Sequence, residues 1–163
     1  MKLNVLPDSG GVIAVDHLGF DPFEAGVLAV TRHFMTSFDA PNLQAWQAGF
    51  KIAVERWGEN IGLSAAYSVL KLVKALRDVR SDFDYHDPLC TDARVWATAD
   101  EAQLMRMLHH MRRDQTNDAR DALDVLTKGR MDPQVIRAGL TLAARFGAGV
   151  PRRGPRPAFH VVN

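Results

Sequence analysis

The chain has 163 residues, 47% of them hydrophobic and 24% charged, with a formal net charge of +1. That size and balance describe one globular domain able to bury its own core, and they exclude a disordered chain. A net charge so near zero selects neither nucleic acid nor a membrane surface, and no apolar run approaches the ~20 residues of a membrane span.

The charge is unevenly placed. Residues 1–100 carry 9 lysines and arginines against 13 aspartates and glutamates, whereas residues 101–163 carry 11 against 6. A basic second half points to an acidic partner, although exposed helix faces also carry charge for solubility alone. The single cysteine, Cys90, cannot form an internal disulfide, which suits a reducing compartment. "MKLNVLPDSGGVIAVD" lacks the apolar core of a signal peptide. A soluble, cytoplasmic protein is expected.

In chain order, residues 1–20 come first as a hairpin or extended segment. Apolar runs at 3–6 and 12–15 flank the turn "PDSGG" and predict two short strands. "DPFE" then opens a first helix, with Asp21 as N-cap, Pro22 at the first position and Glu24 reaching back. Phe23, Val27, Val30, Phe34 and Phe38 form its apolar stripe.

A second helix is predicted from Pro41, with Leu43, Trp46, Phe50, Ala53 and Trp57 on one side and Gly58 as its stop. Asn60 caps a third, to about Arg80. Ile61, Leu63, Ala65, Ala66, Val69, Leu70, Leu72, Val73 and Leu76 make it apolar around most of its circumference, which predicts a central position. Its polar strip is Lys71, Lys74 and Arg77.

The capping box "TADE" at 98–101 opens a fourth helix, reaching about Arg113. "NDARDALDVLTKG" predicts a short fifth helix ending at Gly129, and "DPQVIRAGLTLAARFG" a sixth with the same Asp-Pro start and Gly stop. The expected fold is therefore all-α: a six-helix bundle over residues 21–147, with a small β element at the termini. Residues 148–163 read as a Pro/Arg-rich extended tail whose "AFHVV" can add a strand to this chain's own hairpin or to a partner, as a homodimer or a docking peptide.

Three regions invite a functional reading. "SDFDYHDPLC", residues 81–90, alternates Asp82, Asp84 and His86 on one side of an extended segment and ends at Cys90, a plausible donor set for a divalent ion. An EF-hand loop starting at Asp82 fails, because its sixth and twelfth positions are Asp87 and Ala93. Zinc held by cysteine pairs is impossible with one cysteine. The order His33, His86-Asp87, then Asp118 or Asp121 is similar to that of the helical phosphohydrolases, which hold a metal with these residue types. Pro88 directly after the pair blocks the helix that should continue there, and the chain is not assigned to that family. The simpler expectation is a linker built on Asx turns, with Phe83 and Tyr85 closing the bundle end.

In the fourth helix, Leu104, Met107, Leu108 and Met111 share one side, leaving Arg106, His110 and Arg113 on the other with His109 nearby. These histidines are expected in solvent on a basic face. The sixth helix carries Gln134, Arg137, Thr141 and Arg145 along its outer side. That row fits the recognition helix of a helix-turn-helix, although the joint before it is longer than that motif uses. Gly-x-Ser-x-Gly is absent, and "DSGG" lacks the rest of a nucleotide fingerprint.

The expected function is a small regulatory or interaction protein without catalysis or cofactor. It would bind an acidic protein surface through Arg106, His110 and Arg113 together with the tail arginines Arg152, Arg153 and Arg156. Two alternatives stand beside it: a DNA-binding regulator using Gln134, Arg137, Thr141 and Arg145, and a metal-dependent enzyme centred on Asp82, Asp84, His86 and Cys90.

Overall fold

Asp21 accepts a hydrogen bond from the Glu24 N–H while Glu24 accepts one from the Asp21 N–H, and Pro22 fills the first turn. This capping box starts α1, Pro22–Asp39, in a computed structural model that describes residues 12–148. Five further helices follow among the described residues: α2 Trp46–Trp57, α3 Glu59–Val79, α4 Ala99–Met111, α5 Thr116–Leu126 and α6 Pro133–Arg145. Thr98 and Glu101 build a second capping box at α4, and Asp132 caps α6 ahead of Pro133. The fold is an all-α bundle, as the periodicity and caps predict.

The joints depart from expectation in two places. Pro41 begins not α2 but a single 3-10 turn, Pro41–Leu43, after which Gln44 takes a left-handed conformation and α2 starts at Trp46. Between α2 and α3 there is only Gly58, at φ +79°, which ends one helix and begins the next; Asn60 lies inside α3 and is not its cap. A chain reversal within one residue needs the freedom that glycine supplies.

Helices α1, α3 and α4 share the core. Val27, Val30, Phe34 and Met35 of α1, Ala65, Ala66, Val69, Leu72, Val73 and Leu76 of α3, and Leu104, Met105, Met107 and Leu108 of α4 belong to one buried cluster, which Leu123 and Leu126 of α5 and Val135 and Leu142 of α6 extend. Helix α3 is less central than its composition suggests. Ile61, Leu63 and Tyr67, in its N-terminal half, are all more than 40% exposed. Phe38, predicted in the α1 stripe, also lies partly in water, with the Arg77 guanidinium 5.5 Å from its ring centroid.

The only sheet among the described residues is one antiparallel pair, β1 Ile13–Ala14 with β2 Trp96–Ala97. The strand predicted at 12–15 therefore exists, but its partner is distant in sequence and not a hairpin neighbour. Residues 3–6, offered as that neighbour, and the "AFHVV" strand lie outside the described residues. No helix among the described residues is long and apolar enough to cross a membrane.

Candidate functional site

The 81–90 loop is stitched down along its length. Arg80, itself buried, forms a two-pronged pair with Asp100 (2.8 and 3.0 Å), reaches Asp82, and donates to the Leu126 carbonyl. Asp82 accepts from Lys128 as well, and these two cations hold its carboxyl well below the usual carboxylate range. Asp84 is fixed through its backbone, its N–H donating to Asp100 and its carbonyl accepting from Thr98 Oγ1. Tyr85 is buried and donates to Asp39; burial and that carboxylate push its phenol upward. The His86 N–H donates to Glu101, and Asp87 makes an Asx turn to the Leu89 N–H.

This sewing does not turn the loop's acids toward one another. Among the described residues no group of three or more His, Cys, Asp or Glu side chains stands close enough to hold an ion. The proposed set Asp82, Asp84, His86 and Cys90 is thus not assembled: Asp82 is engaged by Arg80 and Lys128, and Cys90 is half-buried further along. Nor is the phosphohydrolase-like set assembled, since Asp118 and Asp121 are exposed on α5 while His33 is buried in α1.

The basic face predicted on α4 is in part engaged within the fold. Arg113 donates to Glu24 (2.6 Å) and Asp21 (3.2 Å), and His109 Nδ1 lies 3.0 Å from Glu24. Arg112, unremarked in the sequence, is the most deeply placed of the group. It pairs with Glu24 and Asp21, donates to the Phe146 carbonyl, and lies over the Phe23 ring at 4.5 Å. Glu24 is only 1% exposed; burial raises its pKa, but bonds from Arg113, His109 and the Asp21 N–H outweigh that and leave it lowered. These cations therefore lock the start of α1 to the end of α4. Of the proposed face only Arg106 and His110 remain outside this cluster, and His110 contacts Gln115. Arg152, Arg153 and Arg156 lie outside the described residues.

The outer row of α6 fares differently. Gln134, Arg137, Thr141 and Arg145 are all exposed, and the first three face α3 across a groove of about 360 Å³. The opposite wall is Ser68, Lys71, Lys74, Ala75 and Asp78. Helical spacing puts Ser64, Ser68, Lys71, Ala75 and Asp78 in one line, and Arg145 reaches that line at Ser64 Oγ, 3.3 Å. Lys74 pairs with Asp78 at 3.1 Å, while Lys71 lies 5.0 Å from the centroid of the exposed Tyr67 ring. Neither Lys71 nor Arg137 has a carboxylate partner among the described residues. The sequence shows each basic strip separately; only the packing of α6 on α3 joins them.

No protein-family model, curated protein or solved structure matches this chain.

Proposed function

We propose that this protein is a non-catalytic interaction module and that the α3–α6 groove is where it takes an acidic segment of a partner protein. The observation that carries this reading is the convergence of Lys71, Lys74 and Arg137 on one groove in which only Lys74 has a carboxylate beside it. Exposed Tyr67 and Leu63 continue the α3 wall, and an aromatic next to unpaired cations is the composition in which interface energy concentrates. Asp78 at the groove favours a protein partner, with both charge signs available, over a uniform polyanion. The contact surface is thereby moved from the α4 face, whose Arg113 is already engaged, to α3 and α6.

The test is affinity capture from nuclease-treated and untreated native lysate, with wild type, a Lys71→Glu/Arg137→Glu double variant and an Arg106→Glu variant. An acidic protein retained after nuclease, lost with the double variant and kept by Arg106→Glu, is the expected result. Retention that disappears with nuclease would replace this reading with nucleic-acid binding through Gln134, Arg137, Thr141 and Arg145. Affinity for duplex would then fall steeply with salt. A partner lost only with Arg106→Glu would return the contact to α4.

A further inference from the structure

A second cavity lies between α1 and α2 and shares no lining residue with the α3–α6 groove. It measures about 400 Å³, within the range of small-molecule sites. Ala25, Leu28, Ala29, Arg32 and His33 of α1 line it from one helical face, at spacings of three and four, and Ile52, Glu55 and Arg56 of α2 do the same opposite. Val15, Pro88 and Arg94 contribute from the chain before α1 and from the connection between α3 and α4.

Its polar groups are unequal. Arg32 is already taken, by Glu101 and by the Trp96 and Ala93 carbonyls. Glu55 has Lys51 at 3.9 Å. His33 is different: it is 7% exposed, stands in the cavity wall, and makes no hydrogen bond to any described residue. Burial lowers its pKa, Asp87 opposes that and Arg94 adds to it, so the ring on this wall is a neutral imidazole with a donor and an acceptor nitrogen. At the rim Arg56 and Arg94 are exposed, and neither has an ion-pair partner among the described residues.

We propose that this cavity binds a small organic monoanion with an apolar body: its carboxylate at Arg56 and Arg94, its body against Leu28, Ala29 and Ile52, and His33 the hydrogen-bonding group of the wall. Two guanidiniums suit an oxyanion because each presents a planar fork of donors. Glu55 and Asp87 limit the excess of positive charge, so a polyanion such as a nucleoside triphosphate is not matched. The aliphatic walls call for carbon beyond the head group, which inorganic phosphate lacks.

The test uses octanoate as probe and octylammonium as its charge-inverted control, each titrated into the full chain by calorimetry, with the His33 ring followed by NMR. One octanoate should bind with Kd below about 1 mM, and octylammonium at least about tenfold more weakly. Arg56→Glu and Arg94→Glu, both exposed and expected to keep the wild-type melting midpoint, should each weaken octanoate by about tenfold or more, the loss of a charged hydrogen bond. Saturating octanoate should raise the His33 pKa, because an anion beside the ring favours the imidazolium. Any one of three results overturns the proposal: no binding at that concentration, equal affinity for both probes, or a His33 titration unmoved by octanoate. The last readout needs no variant and separates this cavity from adsorption elsewhere.

Discussion

Glu101 accepts four hydrogen bonds: two from Arg32, one from the His86 N–H and one from the Thr98 N–H. A carboxylate has about four acceptor positions, so this one is filled. In the sequence Glu101 announces only the capping box, because the box is local and Arg32 is 69 residues away. Glu24 hides its second role similarly, its cations arriving from the far end of α4. The local half of each glutamate's work is therefore legible and the long-range half is not. Glu101→Gln should destabilise the fold by about 3–5 kcal/mol, because it leaves Arg32 buried without a counter-charge. Urea unfolding with an unchanged m-value checks this, and a loss under 1 kcal/mol would mean that the carbonyls of Trp96 and Ala93 suffice for Arg32. Asp82→Asn, by contrast, should barely move the midpoint, since Asp82 is itself exposed, Lys128 meets it in water, and buried Arg80 keeps Asp100 as its counter-charge.

Helices α2 and α3 approach so closely that a Cβ on Gly62 would stand 2.5 Å from the Ala53 carbonyl oxygen and 2.8 Å from the Val54 Cα. Both obstacles are backbone, so the helices themselves would have to part. Gly62→Ala should cost about 1–3 kcal/mol, the range of overpacked cores, against the gain in helix propensity that alanine ordinarily brings. Gly139→Ala is the comparison: its nearest neighbours are the ends of the Met111 and Met107 side chains, which can turn aside. A smaller loss at 139 than at 62, read from melting midpoints, is expected; the reverse order would mean that α2 and α3 slide freely. Gly58 is legible as a helix stop, but Gly62 in mid-helix gives no sign of the neighbour it admits. Element existence could likewise be read from periodicity and caps, whereas pairing could not. The strand at residues 12–15 has the right pattern, yet its partner Trp96–Ala97 is set by the tertiary fold. The apolar count of α3 likewise says what it could bury, and the packing of the other described elements, which leaves Ile61, Leu63 and Tyr67 exposed, decides what it does bury.

At the scale of the whole molecule, three buried or half-buried groups tie stability to pH in one direction. Burial would raise the pKa of Asp21 and Glu24, but their bonds to backbone N–H groups, Arg112, Arg113 and His109 prevail, and both fall below their ordinary values of 3.8 and 4.5. His33 falls below 6.5 because burial disfavours its charge, with Arg94 adding to that and Asp87 opposing it. In each case the folded chain binds fewer protons than the unfolded one between the two pKa values, so stability declines as pH drops. The contribution of His33 is complete above pH 6.5 and is lost as pH falls through its lowered folded value. Those of Asp21 and Glu24 are complete above about pH 4.5 and are lost only in stronger acid. The urea midpoint of the wild type should therefore decline in two stages, one starting near pH 6.5 and a steeper one below about pH 4.5. His33→Gln, which cannot titrate, should lose the first stage and keep the second. A first stage of equal size in that variant would transfer it to another histidine, while a midpoint flat from pH 7.5 to 5 would show that His33 accepts its proton without cost. Because His33 also lines the α1–α2 cavity, octanoate that binds there should shrink this first stage, joining the acid response of the fold to occupancy of the site.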